Sequence, residues 1–264
     1  MDLGLRGKVA LVLAASKGIG RACAVSLAQE GAQIVIGARS RQILEKTAQE
    51  IQEIGKSRIL AIPTDVTKKE DAEAIVTATI QEFGHIDILV NNAGGPPSGT
   101  FEDFGDDQWQ AAFELNLLST TRFIRLVLPH MRSVGGGRII NIVSTSVKEP
   151  IKGLILSNTI RPGVIGLAKT LSLELAPDNI TVNNVCPGRI LTDRTLQGST
   201  MKRKLAQGIS EAEALQELAK DIPMSRIGTP EEVGALVAFL ASQQAGYITG
   251  TTIQIDGGLT RALF

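Results

Sequence analysis

Ser144, Ser157 and Arg161 are the residues of this chain whose types and spacing can act together on an oxygen. They lie within residues 137–172, GRIINIVSTSVKEPIKGLILSNTIRPGVIGLAKTLS. The β-branched apolar run at 138–143 has the composition of a buried strand, and it ends at the hydroxyl of Ser144. A short loop with Lys148, Glu149 and Pro150 follows, and then a helical pattern carries Ser157, Asn158 and Arg161. Residues four apart share a helix face, so Ser157 and Arg161 point the same way. A strand's carboxyl end beside such a face is where open α/β sheets place their reactions. Two hydroxyls and a guanidinium can polarise and hold an oxygen, but arginine stays protonated and cannot relay a proton.

Positioning these groups takes a regular scaffold. Strand patterns fall at 9–14, 33–37, 58–62, 86–91, 138–143, 180–186 and 252–256, with helical spacing at 21–30, 41–54, 68–83, from about 107 to 132, after 154, and at 230–242. Strands alternating with helices predict an α/β fold: a single Rossmann-type, doubly wound parallel sheet with helices on both faces. No linker or repeat divides the chain, so 1–264 reads as one domain. The polar segment 192–223 reads as a lid, and the Gly/Pro/Asp-rich loop 94–107 as the other wall of a cleft. The lid's Met201-Lys202-Arg203-Lys204 run reads as a solvated turn in preference to a contact for an anionic carrier.

Bulk composition excludes several functions. Lys+Arg and Asp+Glu are 27 each, so no net field draws the protein to nucleic acid or an anionic membrane. No apolar run reaches bilayer length, and the N-terminal apolar run opens into a Gly-rich turn, unlike a signal peptide. Two cysteines, Cys23 and Cys186, fit small buried residues in a reducing cytoplasm. Two histidines and no Cys/His cluster predict no metal site.

After the first strand, Ala14, Gly18 and Gly20 hold the three places of a G-x-x-x-G-x-G turn, with Ser16, Lys17 and Ile19 between them. Such a turn lets backbone approach a pyrophosphate at a helix N-terminus. Asp65, and Asn91 to Gly94, fall at strand ends on the same crevice edge.

With these motifs in order, the sequence resembles the short-chain dehydrogenase/reductase superfamily, and within it the group like 3-oxoacyl-acyl-carrier-protein reductase. The resemblance covers nearly the whole chain: the Gly-rich turn, Asp65-Val66, Asn91-Asn92-Ala93-Gly94, Asn116, Ser144, Pro187-Gly188, Thr192, Tyr247-Ile248-Thr249-Gly250 and Asp256-Gly257-Gly258. It implies a cofactor lined by Ala14, Ser16, Lys17, Gly18, Ile19, Gly20, Asp65, Val66, Asn91, Ala93, Gly94, Arg161, Pro187, Gly188, Ile190 and Thr192, and a homotetramer. A carboxylate after the second strand would select NAD. Here Ala38 stands there, followed by Arg39, and with Lys17 this pair of cations favours the 2′-phosphate of NADP(H).

Active members of that family resemble one another in an Asn, Ser, Tyr, Lys set, in which Tyr exchanges the proton with the substrate oxygen. In this chain Asn116 and Ser144 match, but the Tyr-x-x-x-Lys positions are Ser157 and Arg161. The helix pattern continues without a gap through residues 163–167, so the frame holds, and the one tyrosine, Tyr247, lies in the C-terminal motif. An aliphatic hydroxyl is a far weaker acid than a phenol, and a lost general acid typically costs about 10²–10⁴ in rate. Reduction survives this better than oxidation, because water can protonate an alkoxide held by Ser144, Ser157 and Arg161, whereas oxidation needs a base. The reading is NADPH-dependent reduction of a 3-oxoacyl-type or other activated ketone, a small-molecule carbonyl substrate. Its rival is a catalytically silent NADP(H)-binding sensor or assembly protein. Lys148 and Glu149 read as solvated loop charges that can also supply a proton. Arg189 and Arg194 are open between a salt bridge and a substrate contact.

Overall fold

In the computed structural model, which describes residues 2–55 and 57–263, the apolar runs form seven strands and the periodic segments ten helices. In chain order these are β1 (Val9–Leu13), α1 (Gly18–Gln29), β2 (Gln33–Ala38), α2 (Arg41–Gly55), β3 (Ile59–Pro63), α3 (Lys69–Phe83), β4 (Ile88–Asn91), α4 (Asp106–Phe113) and α5 (Ser119–Ser133). Then come β5 (Gly137–Ile142), α6 (Ile155–Glu174), β6 (Ile180–Pro187), α7 (Asp193–Leu196), α8 (Ser199–Ala206), α9 (Glu211–Ala219), α10 (Pro230–Ala241) and β7 (Thr252–Ile255).

The strands make one parallel sheet in the order β3-β2-β1-β4-β5-β6-β7. The sequence order reverses between β1 and β4, and a doubly wound sheet opens its ligand crevice at that point, beyond the strands' carboxyl ends. Strand alternation sorts the core into two layers. Ala10, Val12, Ile34, Ile36, Ile88 and Val90 pack with α1, α2 and α10 on one face. Val9, Leu11, Leu13, Val35 and Leu89 pack with α3, α5 and α6 on the other. Burial on both faces explains why these strands read as unbroken apolar runs.

Departures from the sequence expectations have local causes. β1 stops at Leu13 because Ala14 turns into the left-handed region (φ 47°), where the family pattern has glycine. α1 starts three residues earlier than its apolar spacing predicts, at Gly18. The long helix after the 94–107 loop is α4 and α5 joined by a π-helical turn at Glu114–Leu118, a deformation frequent at functional positions. The lid segment is three short helices, α7 to α9. Cys23 and Cys186 are free and buried, and burial pushes both thiols up to about 12.

Candidate active site

The β1–α1 turn presents a bare helix start. Lys17, the residue before α1, is extended and its side chain makes no cap, so the first amides of α1 and its positive dipole end face the crevice. Gly18 takes φ 55°. At Gly20 a β-carbon would overlap the Ala14 carbonyl and stand 2.7 Å from Asn92 Nδ2. Asn92 explains the tightness, since its Nδ2 donates to the carbonyls of Leu13 (3.2 Å) and Ala14 (3.4 Å) and ties β4 to the turn. Ser16 is fixed through its carbonyl, which accepts from Thr47 Oγ1 at 2.9 Å, and Ile19 packs against the core.

Arg39 is exposed beyond β2, and its charge reaches Asp65. Burial raises the Asp65 carboxyl, but hydrogen bonds from the Thr67 amide and hydroxyl, with Arg39 and Lys68 nearby, hold it below its ordinary value. Val66 lines the crevice floor, and its carbonyl accepts from Arg122 at 3.3 Å. Lys17 Nζ pairs with Asp193 at 2.9 Å, linking the turn to α7. Both partners are exposed, so the pair contributes about 0–1 kcal/mol and yields readily to another anion.

Beneath the crevice a carboxamide ladder crosses the sheet. Asn91, Asn141, Asn184 and Thr252 are neighbours in register on β4, β5, β6 and β7. Asn91 Nδ2 donates to Asn141 Oδ1 (2.9 Å), Asn141 Nδ2 to Asn184 Oδ1 (3.0 Å), and Asn184 Nδ2 to Thr252 Oγ1 (3.2 Å). The ladder spends every donor towards β7 and leaves Asn91 Oδ1 free at the crevice end. Truncating its middle rung strands a buried donor and a buried acceptor. Asn141→Ala is therefore expected to destabilise the fold by roughly 1–3 kcal/mol for each stranded group, read as a lowered midpoint in thermal or urea unfolding. An unchanged midpoint would contradict the ladder.

The β5 end and α6 carry the predicted reacting groups. Ser144 is the cap of a 3-10 turn at Thr145–Val147, where its Oγ accepts from Ser146 N at 3.1 Å and keeps its own proton for another partner. Ser157, in the first turn of α6, is buried and lies 3.0 Å from Ser146 Oγ, so Ser146, absent from the sequence expectations, links the two predicted serines. Arg161 shares that face and is only 7 % exposed; its Nη1 donates to the Ile142 carbonyl at 3.3 Å, and its Nε has no partner. Burial, with the Arg194 guanidinium nearby, pulls Arg161 down to about 10, which leaves it charged at neutral pH. Asn116, on the π turn, donates to the Gly94 carbonyl at 3.0 Å and leaves Oδ1 unpaired. Asn91, Asn116 and Arg161, with Ala93, line a partly open cavity of about 10 Å³, room for roughly one water-sized group.

The remaining predicted residues divide. Pro187 closes β6, Gly188 packs against Asp256 with its amide on the Ile255 carbonyl (3.0 Å), and Thr192 starts α7 beside Gly18. Ile190 packs its side chain in the core, 5 % exposed, and its backbone bridges to Gly228. Of the two flanking arginines, Arg189 takes the salt bridge, to Asp221 at 3.2 Å, while Arg194 reaches back to the carbonyls of Gly95 (2.9 Å) and Pro96 (3.1 Å). In the lid, Met201 is buried and Lys204 pairs with Glu217. Glu149 accepts from Arg261 N at 3.1 Å. The Tyr247 side chain is fully exposed, away from these groups. Among the described residues no three His, Cys, Asp or Glu side chains converge as a metal site, and no helix is long and apolar enough to cross a membrane.

Known proteins share this architecture. The sequence model of the family described as Enoyl-(Acyl carrier protein) reductase matches residues 13–260. The chain is 36 % identical over 258 residues to Dehydrogenase/reductase SDR family member 4 of Caenorhabditis elegans, covering 97 % of this chain and 96 % of that protein. It is 37 % identical over 257 residues to the 3-oxoacyl-acyl-carrier-protein reductase FabG of Vibrio cholerae, covering 97 % and 99 %. Among solved structures it superposes on L-sorbose reductase from Gluconobacter frateurii, complexed with NADPH and L-sorbose, with a TM-score of 0.96, 35 % identity and complete coverage of both chains.

Proposed function

The chain belongs to the short-chain dehydrogenase/reductase family of oxidoreductases, and from that premise we propose that it is an NADPH-dependent reductase of an activated ketone, working without a phenolic acid. The observation that supports this most is the convergence of Ser144, Ser157 and the buried, charged Arg161 at the carboxyl end of β5. The NADPH-bound L-sorbose reductase, similar along its whole length, supports the cofactor.

The residues present fit that cofactor. The uncapped α1 start and the close approach at Gly20 suit a pyrophosphate. Arg39, and Lys17 once released from Asp193, suit a 2′-phosphate. The unpaired Nε of Arg161, a residue that lines the crevice cavity, suits a ribose hydroxyl. Bound NADPH supplies the hydride. Asp65 and Val66 would flank the adenine, Asn91, Ala93, Gly94, Pro187 and Gly188 would line the cofactor, and Thr192 would meet the nicotinamide end.

The protein's own part is to hold the ketone oxygen and the negative charge that grows on it. Ser144 donates its free proton to that oxygen, Ser157 donates a second when Ser146 supplies the Ser146–Ser157 bond, and Arg161 contributes a fixed positive charge of low reorganisation cost. The proton that completes the alcohol comes from water, since no phenol lies at the site. Oxidation would need a base in the same place, so the reaction runs best towards the alcohol. Faster saturated alcohol oxidation than ketone reduction at neutral pH would refute this direction.

Cofactor titration tests the reading first: NADPH is expected to bind more tightly than NADH, and the reverse order would overturn the Lys17/Arg39 argument. A second expectation concerns pH. The shifted groups at the centre, Arg161 at about 10 and Cys186 at about 12, titrate above neutrality. The profile of kcat/KM is therefore expected to be flat between about pH 6 and 9, without the step that a tuned general acid gives. A break near neutrality would place an acid at the site. We also propose a homotetramer, supported by the exposed Leu173 on α6 and Tyr247; a monomeric mass in solution would contradict it.

A further inference from the structure

Arg161 and Arg194 both border the 92–96 stretch of the crevice wall, and among the described residues neither has a carboxylate partner. Arg161 comes from α6, buried, with Nη1 on the Ile142 carbonyl and Nε unpaired. Arg194 comes from α7 on the opposite wall and grips the carbonyls of Gly95 and Pro96. The chain between their contacts is continuous: Asn92 and Ala93 line the Arg161 cavity, Asn116 holds the Gly94 carbonyl, and Arg194 holds the next two. Their charges are close enough for Arg194 to weaken the hold of Arg161 on its proton. The neighbouring cations differ, since Lys17 pairs with Asp193 and Arg189 with Asp221. Among the described residues, no ion pair includes Arg161, Arg194 or Lys148. Lys148 adds its field at Cys186, close to Arg161.

The nearby acids are already engaged. Asp193 holds Lys17, Glu149 accepts from Arg261 N, and Asp256 accepts from the amides of Gly258 and Thr260. Arg161 is buried and Arg194 is exposed beside the same stretch, and a bound anion would offset the like charge of the pair and accept from the guanidinium N–H groups that the carbonyls leave over. We propose that Arg194 and Arg161 form an anion subsite beside the reacting carbonyl, so that the ketone carries its own carboxylate, a 2-oxo acid being the smallest such molecule. Arg161 then polarises the ketone oxygen and Arg194 takes the carboxylate. This rests on the reductase reading above. The pyrophosphate of a cofactor offers similar chemistry, and its own place is the bare start of α1.

The test titrates the full chain, loaded with NADP⁺, with oxamate and with its uncharged ethyl ester by calorimetry, and repeats both with Arg194→Gln and Arg194→Lys. Oxamate is expected to bind at least about tenfold more tightly than the ester, as a charge-assisted bond predicts. Arg194→Gln should erase that preference, Arg194→Lys should keep part of it, and NADPH affinity should stay within about twofold in both. Equal binding of acid and ester by the natural chain would overturn the subsite. So would an Arg194→Gln variant that loses NADPH affinity but keeps its oxamate preference, which would assign Arg194 to the cofactor. The reductase reading fails separately: a chain that prefers oxamate yet consumes no NADPH with any ketone has the subsite without the reaction. A chain that reduces neutral ketones without preferring oxamate has the reaction without the subsite.

Discussion

The Ser157→Tyr/Arg161→Lys double variant is expected to reduce ketones about 10²–10⁴ times faster than the natural chain, the range that a positioned general acid contributes. The frame for this exchange is in place. Ser157 stands in the first turn of α6, one helical turn before Arg161, with Ser144 facing it from the end of β5. A phenol at 157 reaches beyond the present hydroxyl, past Ser146, to the oxygen that Ser144 holds. The adjacent cation lowers its pKa from near 10, with each unit worth about 1.36 kcal/mol. Ser157→Tyr alone should gain most of the increase, because Arg161 already supplies the charge, and Arg161→Lys alone should gain little. The double variant should also acquire the pH step that the natural chain lacks. If steady-state kinetics find the double variant no faster, the loss of the phenol is not what limits this site.

The second large effect is at Ser144. Ser144→Ala is expected to lower kcat by about 10²–10³ with little change in KM, the signature of a donor that acts on developing charge more than on the bound ketone. The fold should tolerate the change. Ser144 is half-buried and its hydroxyl makes the local cap to Ser146 N, so the loss is a cap of about 0.5–2 kcal/mol. A raised KM with unchanged kcat would make Ser144 a binding contact only.

Much of this was legible in the sequence because it rests on local chemistry. Apolar runs spaced by helical segments lead to a parallel sheet, and the glycines at 18 and 20 mark the turn. What was not legible depends on register between distant strands. Asn141 and Asn184 look like isolated polar residues inside apolar runs, and only their side-by-side placement on β5 and β6 makes them a ladder ending at Asn91. A carboxamide within a β-branched strand is nonetheless a signal, since it must find a partner when buried. Ser146 carries no signal in the sequence because its role comes from meeting Ser157 across a loop, eleven residues away. The fates of Arg189 and Arg194 were open because both follow the same strand end, and three-dimensional placement alone gives Asp221 to one and two carbonyls to the other. Ile190 has its side chain in the core, so only its backbone is left to meet a cofactor there.

The most direct test is single-turnover consumption of NADPH by the natural chain across a panel of activated ketones, followed by absorbance and repeated with Ser144→Ala. The account predicts slow but measurable consumption with at least one ketone, reduced by about 10²–10³ in Ser144→Ala. Tight NADPH binding without consumption by the natural chain, while the Ser157→Tyr/Arg161→Lys variant consumes it readily, would contradict the account and leave a protein that holds the cofactor without using it.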